Sequence, residues 1–72
     1  MKKLSVAEKV RVIMRRLDIN MGELADATNQ SRQNLSNKMR HANFSEKDID
    51  KLAEGLGCTV DIVFTLPDGT QI

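Results

Sequence analysis

Asn20-Met21-Gly22-Glu23-Leu24-Ala25-Asp26-Ala27-Thr28-Asn29-Gln30-Ser31-Arg32-Gln33-Asn34-Leu35-Ser36-Asn37-Lys38-Met39-Arg40 contains two helix starts separated by a tight turn. Asn20 with Glu23 three positions later is a capping pair, in which each side chain satisfies the other residue's open backbone donor. It opens a short helix through about Thr28, with Leu24, Ala25 and Thr28 inward. Asn29 suits a left-handed turn, since asparagine tolerates positive φ better than most residues with a Cβ. Ser31 then caps a helix running to about Arg40, with Leu35 and Met39 inward.

The flanks extend the pattern. Upstream, Ser5 and Glu8 make another capping box, and Val6, Val10, Ile13 and Leu17 follow at helical spacing up to an end near Asp18. Downstream, Ser45 caps a fourth helix with Asp48 at its third position, and Phe44 is placed to staple onto Ile49. Ile49, Leu52, Ala53 and Leu56 form its apolar stripe, and Gly57 offers a left-handed stop. From Thr59 the period changes from 3.6 to 2, with Val60, Ile62, Phe64 and Leu66 on one face, which predicts a strand. Pro67-Asp68-Gly69 is turn chemistry, and Thr70 to Ile72 leave room for only a stub of a returning strand. A single unit over 1–72 results, with a helical core over 5–57 and a strand and turn over 58–72.

With 72 residues, 40% hydrophobic and 29% charged, the chain holds one domain of ordinary soluble composition, and it has no apolar run long enough to span a bilayer. Met1-Lys2-Lys3 leads directly into an amphipathic pattern, so no secretory leader is expected and a cytoplasmic location is. One cysteine, Cys58, and one histidine, His41, provide neither an internal disulfide nor a zinc set, so no metal or cofactor is expected. No nucleophile and base pair or phosphate loop points to an enzyme. Cys58 reads as a small residue packed after the fourth helix.

The formal charge of +1 hides an asymmetry: residues 1–44 carry nine Lys/Arg against four Asp/Glu, and residues 45–72 carry two against six. A basic first half is compatible with a polyanionic partner and equally with solvated helix faces. Between Gln30 and Ala42 there are Arg32, Lys38, Arg40 and His41 but no acidic residue. Arg32, Gln33, Asn34 and Asn37 fall on the exposed side of the third helix and are residue types that read base edges. Arginine takes guanine O6 and N7, and Gln or Asn takes adenine N6 and N7. Ser36, Lys38, Arg40, His41 and Asn43 lie in the later part of the third helix and just after it, where a resemblance to helix-turn-helix DNA-binding proteins implies phosphate contacts. Stacking on single strands is disfavoured, since the only aromatics are Phe44 and Phe64, both on apparent core faces.

Two short helices about a tight turn between two longer helices form a helix-turn-helix arrangement; a plain helical bundle has the same patterning. Residues 21–40 with their flanks resemble the helix-turn-helix family of phage repressors and Cro proteins. Leu24-Ala25 matches that family's Leu-Ala pair, Asn29 stands at its turn glycine, Ser31 at the cap of its recognition helix, and Leu35-Ser36 at its Ile-Ser pair. Lys51-Leu52-Ala53-Glu54-Gly55-Leu56-Gly57 is similar to its last core helix, and the added strand resembles that of a subset of small bacterial members.

The resemblance implies a mostly α, four-helix, lambda-repressor-like domain with a C-terminal β-strand. It implies a transcriptional regulator, a repressor of phage or mobile-element type, acting on double-stranded DNA as a homodimer at an inverted repeat. Val60, Ile62, Phe64 and Leu66 are the expected dimer interface, since a lone strand exposes an apolar face and an open edge. Pairing within the chain through the Pro67-Asp68-Gly69 turn is the alternative for that strand. For function the alternative is a protein-interaction module, such as an antitoxin or anti-repressor, that uses the same helices for a protein partner.

Overall fold

The computed structural model describes residues 3–72; Met1 and Lys2, at the start of the expected unit, lie outside the described residues. Four helices follow in order: α1 (Val6–Leu17), α2 (Met21–Ala27), α3 (Arg32–His41) and α4 (Glu46–Gly55). Each starts at the cap its sequence announces. Ser5 with Glu8, Asn20 with Glu23 and Ser45 with Asp48 form reciprocal capping boxes, and the Ser31 hydroxyl accepts the Asn34 N–H.

The helices also share one kind of ending. Asp18, Asn29, Ala42 and Gly57 all sit at positive φ, between 51° and 70°. The next residue in each case returns its N–H to a carbonyl one turn back: Ile19 to Met14, Gln30 to Ala25, Asn43 to Lys38 and Cys58 to Ala53. These are Schellman stops, which satisfy carbonyls that the helix leaves open. Asn29 and Gly57 fill the role as their residue types suggest. Asp18 and Ala42 adopt it without that help, and an alanine at φ 51° carries a steric cost.

The core joins Ala7, Val10 and Met14 of α1 to Leu24 and Ala25 of α2, Leu35 and Met39 of α3, and Leu52 with Leu56 from α4 and its cap. α2 packs on both α3 and α4. Four side chains depart from the sequence expectation. The buried stripe of α1 is rotated toward Ala7 and Met14; Val6 and Ile13 are partly buried at its edge, and Leu17 is half exposed. The stop at Asp18 turns the chain there, so Ile19 rather than Leu17 packs against the core. Ile49 is only partly buried and lines a groove of about 420 Å³ between α1, α4 and residues 58–63. Phe44 packs against the core cluster.

Beyond Gly57 the expected strand over 60–66 is not present as such: among the described residues the only β pairing is one antiparallel bridge, Thr65 with Gln71. Around it Phe64 and Ile72 exchange backbone hydrogen bonds, Leu66 N–H reaches Thr70, and Gly69 turns at φ 91°. The Thr70 hydroxyl, and after it the Thr70 N–H at 2.9 Å, donate to the Asp68 carboxylate and hold the Asp68 carboxyl below the usual range. The turn at Pro67-Asp68-Gly69 therefore pairs within the chain. Residues 59–63 make no backbone–backbone hydrogen bond with another described residue. Val60, Ile62, Phe64 and Leu66 stay exposed, Phe64 at 72%, and Cys58 is exposed rather than packed. Among the described residues no helix is long and apolar enough to cross a membrane.

The burial pattern separates two residues that the apolar spacing treats alike. Leu52→Ala is expected to cost about 2–5 kcal/mol and to abolish most of the cooperative melt of so small a domain, whereas Ile49→Ala costs about 1 kcal/mol. Comparing the two thermal transitions by circular dichroism checks this. Ala42→Gly is expected to raise the melting temperature, by up to about 1 kcal/mol of added stability, because it removes the left-handed strain.

Candidate nucleic-acid interface

The site is built outward from the turn between α2 and α3. Leu24 and Leu35 on either side of it are fully buried. Thr28, the buried polar residue of the core, donates its hydroxyl to the Leu24 and Ala25 carbonyls at 2.9 and 3.2 Å, and its oxygen accepts the Gln30 amide at 2.7 Å. Gln30 in turn accepts the Asn34 amide at 2.9 Å. A chain of side-chain hydrogen bonds thus runs from the interior of the turn to the first turn of α3. It fixes where α3 starts, together with the Ser31 cap.

With Leu35 and Met39 held in the core, α3 presents Arg32, Gln33, Ser36, Asn37, Arg40 and His41 to solvent. Gln33, Asn37 and Arg40 lie at i, i+4 and i+7, one stripe along the helix. Arg40 donates to the Asn37 side-chain oxygen at 2.9 Å, so the guanidinium and the amide are held side by side on that stripe. Asn43 follows the left-handed Ala42 and is also exposed.

Two more of the expected contact residues have partners off that stripe. Asn34 is exposed, but its amide serves the Gln30 network instead of standing with Gln33 and Asn37. Lys38 reaches across to α4, where its ammonium meets the Asp48 carboxylate at 2.8 Å, both side chains partly buried. Asp48 is at once the capping-box residue of α4, with its second oxygen accepting the Ser45 N–H at 3.0 Å. The Lys38 hydrogen bond, and after it the Ser45 backbone donor, pulls the Asp48 carboxyl down to about 2. Gln30 and Asp48 are the neighbours of the candidate face that the sequence did not mark as such. Asp48 was legible as a cap, but its tie to a residue ten positions earlier was not. Thr28, Gln30, Asn34, Lys38, Phe44 and Asp48 line a small cleft of about 170 Å³ between the start of α3 and α4.

Basic residues in the last turn of α3, Lys38, Arg40 and His41, also complement the helix dipole, so their presence alone is ordinary. Arg32 is different. It stands in the first turn, where a cation is disfavoured, and makes no side-chain hydrogen bond or ion pair with the described residues. Among the described residues no three His, Cys, Asp or Glu side chains gather in a way that could hold a metal ion. Compared with protein-family models, curated proteins and solved structures, the chain matches none.

The Lys38–Asp48 pair gives a pH prediction. Asp48 binds its proton more weakly in the folded chain than in the unfolded one, so its contribution to stability is complete above the ordinary carboxylate range and fades as pH falls toward 2. In Lys38→Met the Asp48 carboxyl is expected to titrate closer to its ordinary value by NMR, and the acid end of the stability profile is expected to flatten.

Proposed function

We propose that this chain is a sequence-specific double-stranded DNA-binding transcriptional regulator, a repressor that acts as a homodimer on an inverted-repeat operator. One observation carries the reading. The outer face of α3 brings Arg32, Gln33, Asn37 and Arg40 together on a helix anchored by Leu35 and Met39, with no acidic residue from Gln30 to Ala42. An exposed helix with that set is shaped for a major groove, where arginine and the side-chain amides discriminate base pairs.

In this mechanism Arg32, Gln33 and Asn37 read base edges, while Ser36, Arg40, His41 and Asn43 hold phosphates and set register. Asn34 contributes by orienting α3 through Gln30, and Lys38 brings its remaining ammonium donors to a phosphate from its pair with Asp48. Two copies would double the contact surface on a two-fold site. The second reading, a protein-interaction module, is favoured by one specific observation: the exposed apolar side chains Val60, Ile62, Val63, Phe64 and Ile72.

Selection of bound duplexes from a random pool tests the DNA reading, with an enriched inverted repeat as the expected result. On the selected site, truncating Arg32, Gln33 or Asn37 to Ala is expected to cost about 1–3 kcal/mol while binding to random duplex changes little. Arg40→Ala weakens both DNAs and lowers the salt slope by about 0.9 per contact in each half-site. A folded protein that shifts no duplex at low salt would overturn the DNA reading and favour the protein-interaction one.

A further inference from the structure

Away from the outer face of α3, the fold leaves a second surface uncovered, the groove of about 420 Å³ between α1 and α4. Its floor is Val6, Val10 and Ile13 of α1 with Ile49, Ala53 and Leu56 from α4 and its cap. Residues 58–63 form the remaining wall, where Val60, Ile62 and Val63 are each 45% exposed. Apolar side chains left this open on a small domain mark a contact surface.

The rims of the groove carry different charges. Around α4, Asp48 faces α3 through its pair with Lys38, and Gly55 faces α2 at its close approach to Thr28. Ile49 and Ala53 face the groove, and the next row outward is Glu46, Asp50 and Glu54, at i, i+4 and i+8. All three are exposed, and none makes an ion pair or a side-chain hydrogen bond among the described residues. Asp61 on the wall is exposed and unpaired in the same way. Among the described residues Lys9 of α1 is the only cation that lines the groove.

We propose that this groove docks an amphipathic helix of another protein, apolar along the stripe that meets the floor and basic along the flank that meets Glu46, Asp50 and Glu54. A groove walled by two helices accepts a third through side chains at i, i+3, i+4 and i+7. Carboxylates repeating once per turn match cations at the same repeat on the incoming helix. A second copy of this chain has no such helix to offer, because the apolar stripes of all four helices are buried in its own core. Nor does the end of the chain fill the groove: residues 64–72 turn back on themselves and leave Phe64 and Ile72 at 72% and 78% exposure. A membrane surface is a poor fit, since anionic headgroups repel the acidic row. The proposal stands apart from the DNA reading, because the groove and the outer face of α3 have no residue in common. A partner held there leaves α3 free to meet its own ligand.

The test uses the full chain and two fluorescent peptides of about 14 residues, a length only marginally helical alone. Each carries leucines at i, i+3, i+4 and i+7, with lysines along one flank of that stripe in the first peptide and glutamates in the second. Anisotropy is expected to show saturable binding of the lysine peptide, about fivefold or more tighter than the glutamate peptide, with a gain of helical signal in circular dichroism. In the double variant Asp50→Lys, Glu54→Lys the lysine peptide is expected to weaken by roughly five- to tenfold and the glutamate peptide to tighten. Both positions are exposed, so this variant keeps the wild-type fold, which its thermal melt verifies. NMR amide shifts on adding the lysine peptide are expected at Ile13, Ile49, Ala53 and Ile62 and not along α3. Saturable binding by neither peptide, or shifts centred elsewhere, overturns the site. Equal affinity for both peptides, unmoved by the charge reversal, overturns the basic partner, and binding without gained helicity overturns the helix. A wild-type dimer whose groove amides shift on dilution identifies a second copy as the occupant and overturns the proposal.

Discussion

Everything outside the turn between α2 and α3 takes its position from the contact that closes it, Leu24 against the same core as Leu35, both without solvent exposure. Two short helices of 7 and 10 residues have little stability of their own, since nucleation is costly and few bonds follow it. They persist because each buries a leucine and because the backbone between them has its polar groups met. Asn29 supplies the left-handed step, and the Thr28 hydroxyl occupies the interior of the bend. Gly55 brings α4 against this same point. A Cβ there would fall 2.9 Å from the Thr28 methyl, so the last turn of α4 sits closer to the bend than any other residue would permit.

The consequence for the candidate site is rigidity without dedicated side chains on its outer face. α3 is pinned at its start by the Ser31 cap and the Asn34–Gln30–Thr28 chain, along its length by Leu35 and Met39, and at its end by Lys38 on Asp48. All of these pins lie on the inward or flanking sides. Arg32, Gln33, Ser36 and Asn37 are thereby spared structural work, and a helix held in this way loses little freedom when its face meets a ligand.

Local signals were legible in the sequence and distant ones were not. Capping boxes are recognisable because both partners lie within one turn, and Ser5 with Glu8, Asn20 with Glu23 and Ser45 with Asp48 all formed. The rotation of α1 was not legible, because Val6/Ile13/Leu17 and Ala7/Met14 are both acceptable stripes around Val10. The choice between them is made by what α1 packs against and by the turn at Asp18. The internal partners of Asn34 and Lys38 were illegible for the same reason, since they depend on Gln30 and Asp48 being near in space. The period of 2 beyond Thr59 is matched by backbone pairing only around Thr65 and Gln71. A strand, however, is a relation between two backbones, and periodicity in one of them does not supply the other.

The weight of the DNA reading falls unevenly on the basic residues, and the helix dipole decides how. Lys38, Arg40 and His41 stand at the C-terminal end of α3, where a positive charge stabilises the helix by about 0.3–1 kcal/mol whether or not a ligand exists. Lys38 has a further internal use in Asp48. These residues are therefore explained by the fold, and a count of cations overstates the case. Arg32 has no such explanation: it occupies the end of the helix where positive charge is unfavourable by a similar amount, with no carboxylate to compensate it. An external group that accepts hydrogen bonds in front of α3, such as a guanine edge or a phosphate, is the kind of partner that turns this local cost into a gain. The first turn of α3, more than the basic end, is the part of the molecule that argues for a ligand.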